Sequence, residues 1–258
     1  VPPYVDDAAP TLPYCGAPPL PTDWWLRWNL DPWLGVALLL AYGLLNGLGR
    51  ARSGAAYGAH ARPDARRVGA LLLTLGLVSP LCALSVALFS VRVLQHVLLL
   101  YVAAPLLALA LPVARRQLHL VATTAAFCGL FWFWHAPGPY RATFESTGAY
   151  WTMHVSLLVT AIAAWRAILA ARTDDGQVPA ALLGALAMLV QMGLLGAVLA
   201  LAPRPLYDAH LLSALPFGLT ALEDQQLGGL VMWVPGALAP LAIGLALLAR
   251  ILRSPASR

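Results

Sequence analysis

The feature that most constrains this chain is its succession of long apolar runs almost free of charge. The run at 178–202 holds no ionisable residue at all. About 20 such residues in a helix match the thickness of a bilayer core. The composition carries this further: the 258 residues are 60% hydrophobic and only 10% charged, with a mean hydropathy of +0.74. Soluble domains carry roughly 25% charged residues. A chain this apolar cannot clothe a water-facing surface, whereas lipid solvates it, provided that every backbone polar group is bonded within a helix. The expected fold is therefore all-α: a polytopic integral membrane protein, a bundle of seven transmembrane helices at 32–48, 68–89, 93–111, 118–135, 150–170, 178–202 and 221–252. Pro80, Pro105 and Pro235 fall inside these runs as expected kinks. Gly43 with Gly47, and Gly193 with Gly196, mark close helix packing.

Arginine sets the expected orientation. Arg50, Arg52, Arg62, Arg66 and Arg67 fill the first loop. Arg115 and Arg116, Arg166 and Arg172, and Arg250, Arg253 and Arg258 fall on the same side. By the positive-inside rule that side is cytoplasmic. The N-terminus is then outside and the C-terminus inside. Three parts follow: an extracytoplasmic segment 1–31, a membrane domain 32–252 and a cytoplasmic tail 253–258. The outer side holds most of the acids, Asp6, Asp7, Asp23, Asp31, Glu145, Asp208, Glu223 and Asp224. Net charge is +5, but the arginines sit at helix ends and not along one face, so nucleic acid is excluded as a partner. Residues 1–30 are polar and proline-rich and show no cleavable signal. The first residue is Val1, so the numbering is expected to begin downstream of the true start. The absence of lysine and the wealth of alanine, leucine and arginine suit a GC-rich bacterial genome.

Three histidines on three helices reach a similar outer depth: His96, His135 and His154. Met153 and Met232 are expected at that level. Imidazole with thioether is the ligand mixture that suits soft Cu(I), and ionisable groups inside a membrane are costly enough to point to function. Interfacial anchoring and interhelical hydrogen bonding are the alternative uses of such histidines. His60 and His119 lie on the inner side, and His210 lies in the sixth loop. Cys15 is a possible accessory thiol of the outer segment, and Cys82 and Cys128 lie in outer helix halves, with no CxxC spacing among them. Thr220 and Glu223 have capping-box spacing. Asp224, Gln225 and Gln226 follow in the first turns of the last helix. Glu223, Asp224 and Gln225 are expected at the mouth of the histidine site, with Asp224 orienting an imidazole instead of binding metal, or else paired with Arg92 or Arg204. Arg92, one turn before His96, is expected to snorkel outward or to pair with Asp224 or Glu223.

These segments together resemble the CtaG-type assembly factors of cytochrome c oxidase. The resemblance is carried by Ser79-Pro-Leu81, Leu88-Phe-Ser90, Gln95-His-Val-Leu-Leu99, Ala104-Pro-Leu106, Trp134-His-Ala-Pro137 with Tyr140, His154, Pro203-Arg-Pro-Leu-Tyr207, and the long Glu223-Asp-Gln-Gln-Leu-Gly-Gly-Leu-Val-Met-Trp233. Tyr14-Cys-Gly16 and Trp28-Asn-Leu-Asp-Pro32 also fit. The resemblance implies a bacterial inner-membrane protein, not an enzyme, that matures the haem–copper oxidase by handling copper, held transiently as Cu(I), for its catalytic subunit. A periplasmic copper donor is then a further partner, beside the lipid bilayer. The family pattern places a second histidine four residues before each of His96 and His154; here Arg92 and Tyr150 stand there. Two other functions remain open at this point. A copper transporter would need polar groups through the midplane, which offers mainly Thr74, Thr123, Thr124 and Gln191. A metal-free scaffold for the nascent oxidase subunit needs none.

Overall fold

The structure, a computed structural model, describes residues 12–53, 63–111, 119–171 and 176–253. Arg62, Arg115, Arg116, Arg172 and Arg258, on which much of the orientation rests, lie outside the described residues, as do Asp6, Asp7 and His60. Among the described residues the chain is mainly helical and has no strand. Eleven helices follow in order: α1 (Pro32–Ser53), α2 (Pro63–Val78), α3 (Leu81–Ala87), α4 (Phe89–Val97), α5 (Ala104–Ala110), α6 (Leu120–His135), α7 (Pro137–Glu145), α8 (Thr147–Leu169), α9 (Val178–Leu201), α10 (Ala221–Trp233) and α11 (Leu238–Arg253). A π-helical turn, Leu98–Ala103, joins α4 to α5.

Among the described residues, four helical stretches are long and apolar enough to cross a membrane: Phe89–Ala110, Thr147–Leu169, Val178–Leu201 and Ala221–Arg253. A fifth results if α2 and α3, bent by 48°, count as one span. The remaining two expected spans correspond to shorter apolar helices, Pro32–Gly47 and Leu120–His135. Two of the expected kinks coincide with breaks. The second run is broken at Ser79-Pro80, between α2 and α3, and the last at Val234–Ala237, between α10 and α11. Pro105 instead sits in the first turn of α5, where its missing N–H costs little. The loop after α6 holds a further helix, α7, which begins at Pro137.

The apolar outer faces of these helices meet no protein. Leu39, Leu201 and Leu252 are each more than 70% exposed, a surface that lipid and not water accommodates. Inside, α10 packs between α9 and α4, and α8 packs against α5 and α6. The α9–α10 contact is backbone on backbone. A Cβ at Gly229 would lie 2.6 Å from Ala200 N and 2.7 Å from Gly196 O, and one at Gly196 would lie 2.9 Å from Gly229 O. Small residues are what allow such an approach in a membrane, where hydrophobic burial gives helices no reason to associate. The buried indole of Trp165 donates to Leu100 O at 2.8 Å, so α8 is tied to the π turn.

Candidate functional site

His96 lies in the last turn of α4, His135 ends α6, and His154 sits in the second turn of α8. The three rings converge. The His96 centroid is 5.4 Å from that of His154 and 5.9 Å from that of His135, and all three residues are buried. His135 Nδ1 is 2.7 Å from Phe131 O, and His154 Nδ1 is 3.0 Å from Tyr150 O. Each ring is thus anchored to a carbonyl one turn back on its own helix. A carbonyl accepts only, so in the neutral rings the proton is on Nδ1 and the Nε2 lone pair is free. His154 Nε2 and His96 Nε2 are buried with no hydrogen-bond partner. A buried, unsatisfied nitrogen is costly, and a soft cation is one ligand that such lone pairs suit. Among the described residues, however, no three His, Cys, Asp or Glu side chains stand at metal-holding distances. Ligation at about 2 Å therefore requires the rings to draw inward.

A cavity of ≈ 50 Å³ lies beside His96 and His154, walled by Leu73, Leu99, Leu100 and Trp151. Neither expected methionine lines it. Met153 is buried one residue before His154, its sulfur 4.0 Å from Arg92 Nη2. Met232 is buried in the last turn of α10.

Arg92 corrects the expectation. It neither snorkels nor pairs with an acid. It is buried, with Nη2 donating to Thr143 Oγ1 at 2.6 Å and the guanidinium carbon 4.5 Å, 5.0 Å and 5.9 Å from the ring centroids of Phe144, Tyr140 and Tyr150. A guanidinium is weakly hydrated and is attracted to ring faces, so an aromatic cage built by α7 and α8 takes the place of a carboxylate. Arg92 Nε is buried without a partner.

Asp224 is a second correction. It orients no imidazole and meets neither Arg92 nor Arg204. Its carboxylate accepts from Phe89 N at 2.6 Å, Ser90 N at 3.1 Å and Ser90 Oγ at 2.5 Å. Leu88 is extended and has no side chain with which to cap α4. The free N–H groups of the α4 start, at the positive end of the helix dipole, therefore take their acceptor from α10. Gln225 is likewise structural, its Oε1 accepting from Leu206 N at 2.6 Å and its Nε2 donating to Leu199 O at 3.3 Å. Glu223 is exposed and completes the capping box with Thr220.

Cys15, expected as an accessory thiol, is not a free thiol here: it is disulfide-bonded to Cys82. Tyr150 lies between this disulfide and the histidines, its hydroxyl 3.5 Å from Cys15 Sγ and 3.7 Å from Cys82 Sγ and its ring centroid 4.2 Å from that of His154.

Residues not expected at the site surround it. Gln95 Nε2 donates to Gly76 O at 2.6 Å while its Oε1 is buried and unpartnered. Tyr207 donates to His135 O at 2.8 Å. His210 folds inward from its loop, 2.7 Å from the Tyr140 hydroxyl. All but His210 stand in the sequence segments quoted above, which was the available signal.

Fold and site together define a multi-helix membrane protein with a buried histidine cluster near one end of its bundle. Residues 40–254 match the family model of the cytochrome c oxidase caa3 assembly factor, Caa3_CtaG, and the chain belongs to that family. No curated protein and no solved structure matches it.

Proposed function

We propose that this assembly factor handles Cu(I) at the outer face of a bacterial inner membrane and delivers it to the catalytic subunit of a haem–copper oxidase. Copper is cargo here, held by His96, His135 and His154 and released. The observation that carries the reading is the convergence of three buried imidazoles, two of them with unpartnered Nε2 atoms. A site whose ligands must close to bind suits transfer better than storage. The seven-span topology, with the N-terminus outside, belongs to the same reading. The arginine distribution supports it, as does the Cys15–Cys82 disulfide, since disulfides persist in oxidising compartments.

The metal-free scaffold is favoured by one observation, the buried Arg92, whose fixed charge within the same cluster of side chains opposes a cation. Complementation separates the two. In cells lacking the chain, a His96→Ala, His135→Ala, His154→Ala variant that accumulates normally should leave the oxidase subunit assembled but short of copper. Full restoration of oxidase copper by that variant would favour the scaffold.

A further inference from the structure

We propose that Cys15 and Cys82 form a reducible pair whose dithiol form is a second Cu(I) site, placed on the outer approach to the histidines. Two hydrogen-bond donors from different elements point at Cys82 Sγ: the Tyr150 hydroxyl at 3.7 Å and Asn29 Nδ2 at 3.6 Å; Cys15 Sγ lies 3.5 Å from the same hydroxyl. A disulfide sulfur carries no proton, so both groups donate and Cys82 Sγ accepts. A disulfide sulfur is a poor acceptor; a thiolate is a strong one, and charge-assisted bonds are about twice as strong as neutral ones. The environment is thus matched to the reduced, ionised pair more than to the disulfide.

Position is the second argument. The two residues are held 5.4 Å apart at Cα, so their thiolates converge on one ion, and two thiolates are a preferred ligand set for Cu(I). Tyr14 stacks on Tyr150 at 4.8 Å, and Tyr150 contacts His154 at 4.2 Å, so the sulfur pair and the histidine cluster share one wall.

Reduction is accessible from one side. Cys15 is partly exposed, while Cys82 is buried. A thiolate of an extracytoplasmic dithiol reductant attacks Cys15 Sγ, breaks the disulfide and expels Cys82 as thiolate. The second thiol of the reductant then displaces Cys15 from the mixed disulfide. Two electrons pass to the pair, the reductant leaves as its own disulfide, and the two cysteine sulfurs take one Cu(I) with loss of any thiol protons.

The inference draws on the copper reading for the identity of the ion, and the two fail separately. Purified full-length protein is loaded with Cu(I) under nitrogen, either oxidised or after phosphine reduction and desalting, and its content and affinity are read by competition with a Cu(I) chelator. The reduced protein should hold one equivalent more than the oxidised protein, with sulfur scattering in its copper X-ray absorption spectrum. Cys15→Ser/Cys82→Ser should lose that equivalent; Cys128→Ser and the triple histidine variant should keep it. Tyr150→Phe or Asn29→Leu should weaken it by about tenfold. Should the double serine variant not fold, protection of Cys15 and Cys82 from alkylation by Cu(I) in the reduced wild type reads the same binding. Equal copper content in oxidised and reduced protein, or no protection of the two thiols, would overturn the proposal. A histidine cluster that binds nothing, beside a dithiol that binds, would overturn only the earlier reading.

Discussion

Asp224 caps a helix that begins 135 residues earlier in the chain: its Oδ2 accepts the Phe89 N–H at 2.6 Å. The contact joins α10 to α4, the helix that presents both Arg92 and His96. The most constrained acid of the Glu223–Gln226 stretch thus acts on the histidine site through the position of a helix and not through an imidazole.

Asp224→Ala removes the acceptor for two backbone N–H groups and one hydroxyl, all buried. Helix caps and charged hydrogen bonds are each worth about 1–3 kcal/mol. The variant should therefore lose at least about 2 kcal/mol of stability and show as lower abundance in the membrane. Asp224→Asn retains one acceptor and should fall between. Thermal unfolding in detergent checks the order.

The α9–α10 contact makes a purely steric prediction. Gly229→Leu places atoms against Ala200 N and Gly196 O, which are backbone and cannot give way. The two helices must separate, and the folded protein should be lost. Gly43 and Gly47 on α1, expected at a close helix contact, meet nothing within 4 Å among the described residues, so Gly43→Leu should be tolerated. Membrane abundance of the two variants separates a packing effect from a general intolerance of bulk.

Arg92 is the residue whose replacement should strengthen copper binding. Repulsion between its guanidinium and a bound cation several ångströms away is on the order of 2 kcal/mol at an effective dielectric of about 20. Arg92→His removes that fixed charge and adds an imidazole one turn from His96 on the same helix face. Cu(I) affinity should rise by roughly tenfold or more. An unchanged affinity in a folded variant would place the ion elsewhere.

Topology is tested by reporter fusions. Fusions at Ala59 and Thr173 should read cytoplasmic, and fusions at Thr143 and Ser213 should read external. A cytoplasmic signal at Ser213 would overturn either the number of spans or their orientation.

What was legible in the sequence follows from what is local. Long apolar runs announce helices by composition alone, and the Thr220–Glu223 capping box depends only on spacing. The depth of His96, His135 and His154 follows from counting residues along helices. The features that escaped are those made by distant partners. The Cys15–Cys82 bond spans 67 residues with no spacing rule to suggest it. The burial of Arg92 depends on Phe144 and Tyr140 arriving from α7, a helix inside what reads as a loop. Asp224 looks like a first-turn acid of its own helix, and only the fold shows that the helix it caps is another one. The π turn after His96 has no local signature either; it is tied to Trp165 on α8.

Copper binding by the histidine cluster is the central claim, and the most direct measurement is the Cu(I) affinity of the purified, disulfide-intact protein beside that of the His96→Ala, His135→Ala, His154→Ala variant, both folded by thermal unfolding. The account predicts about one tightly held Cu(I) in the wild type and a loss of affinity of at least about 100-fold in the variant, as removal of ligands themselves should exceed the 10–100-fold cost of removing their supporting contacts. Equal copper content and affinity in the two proteins would contradict it.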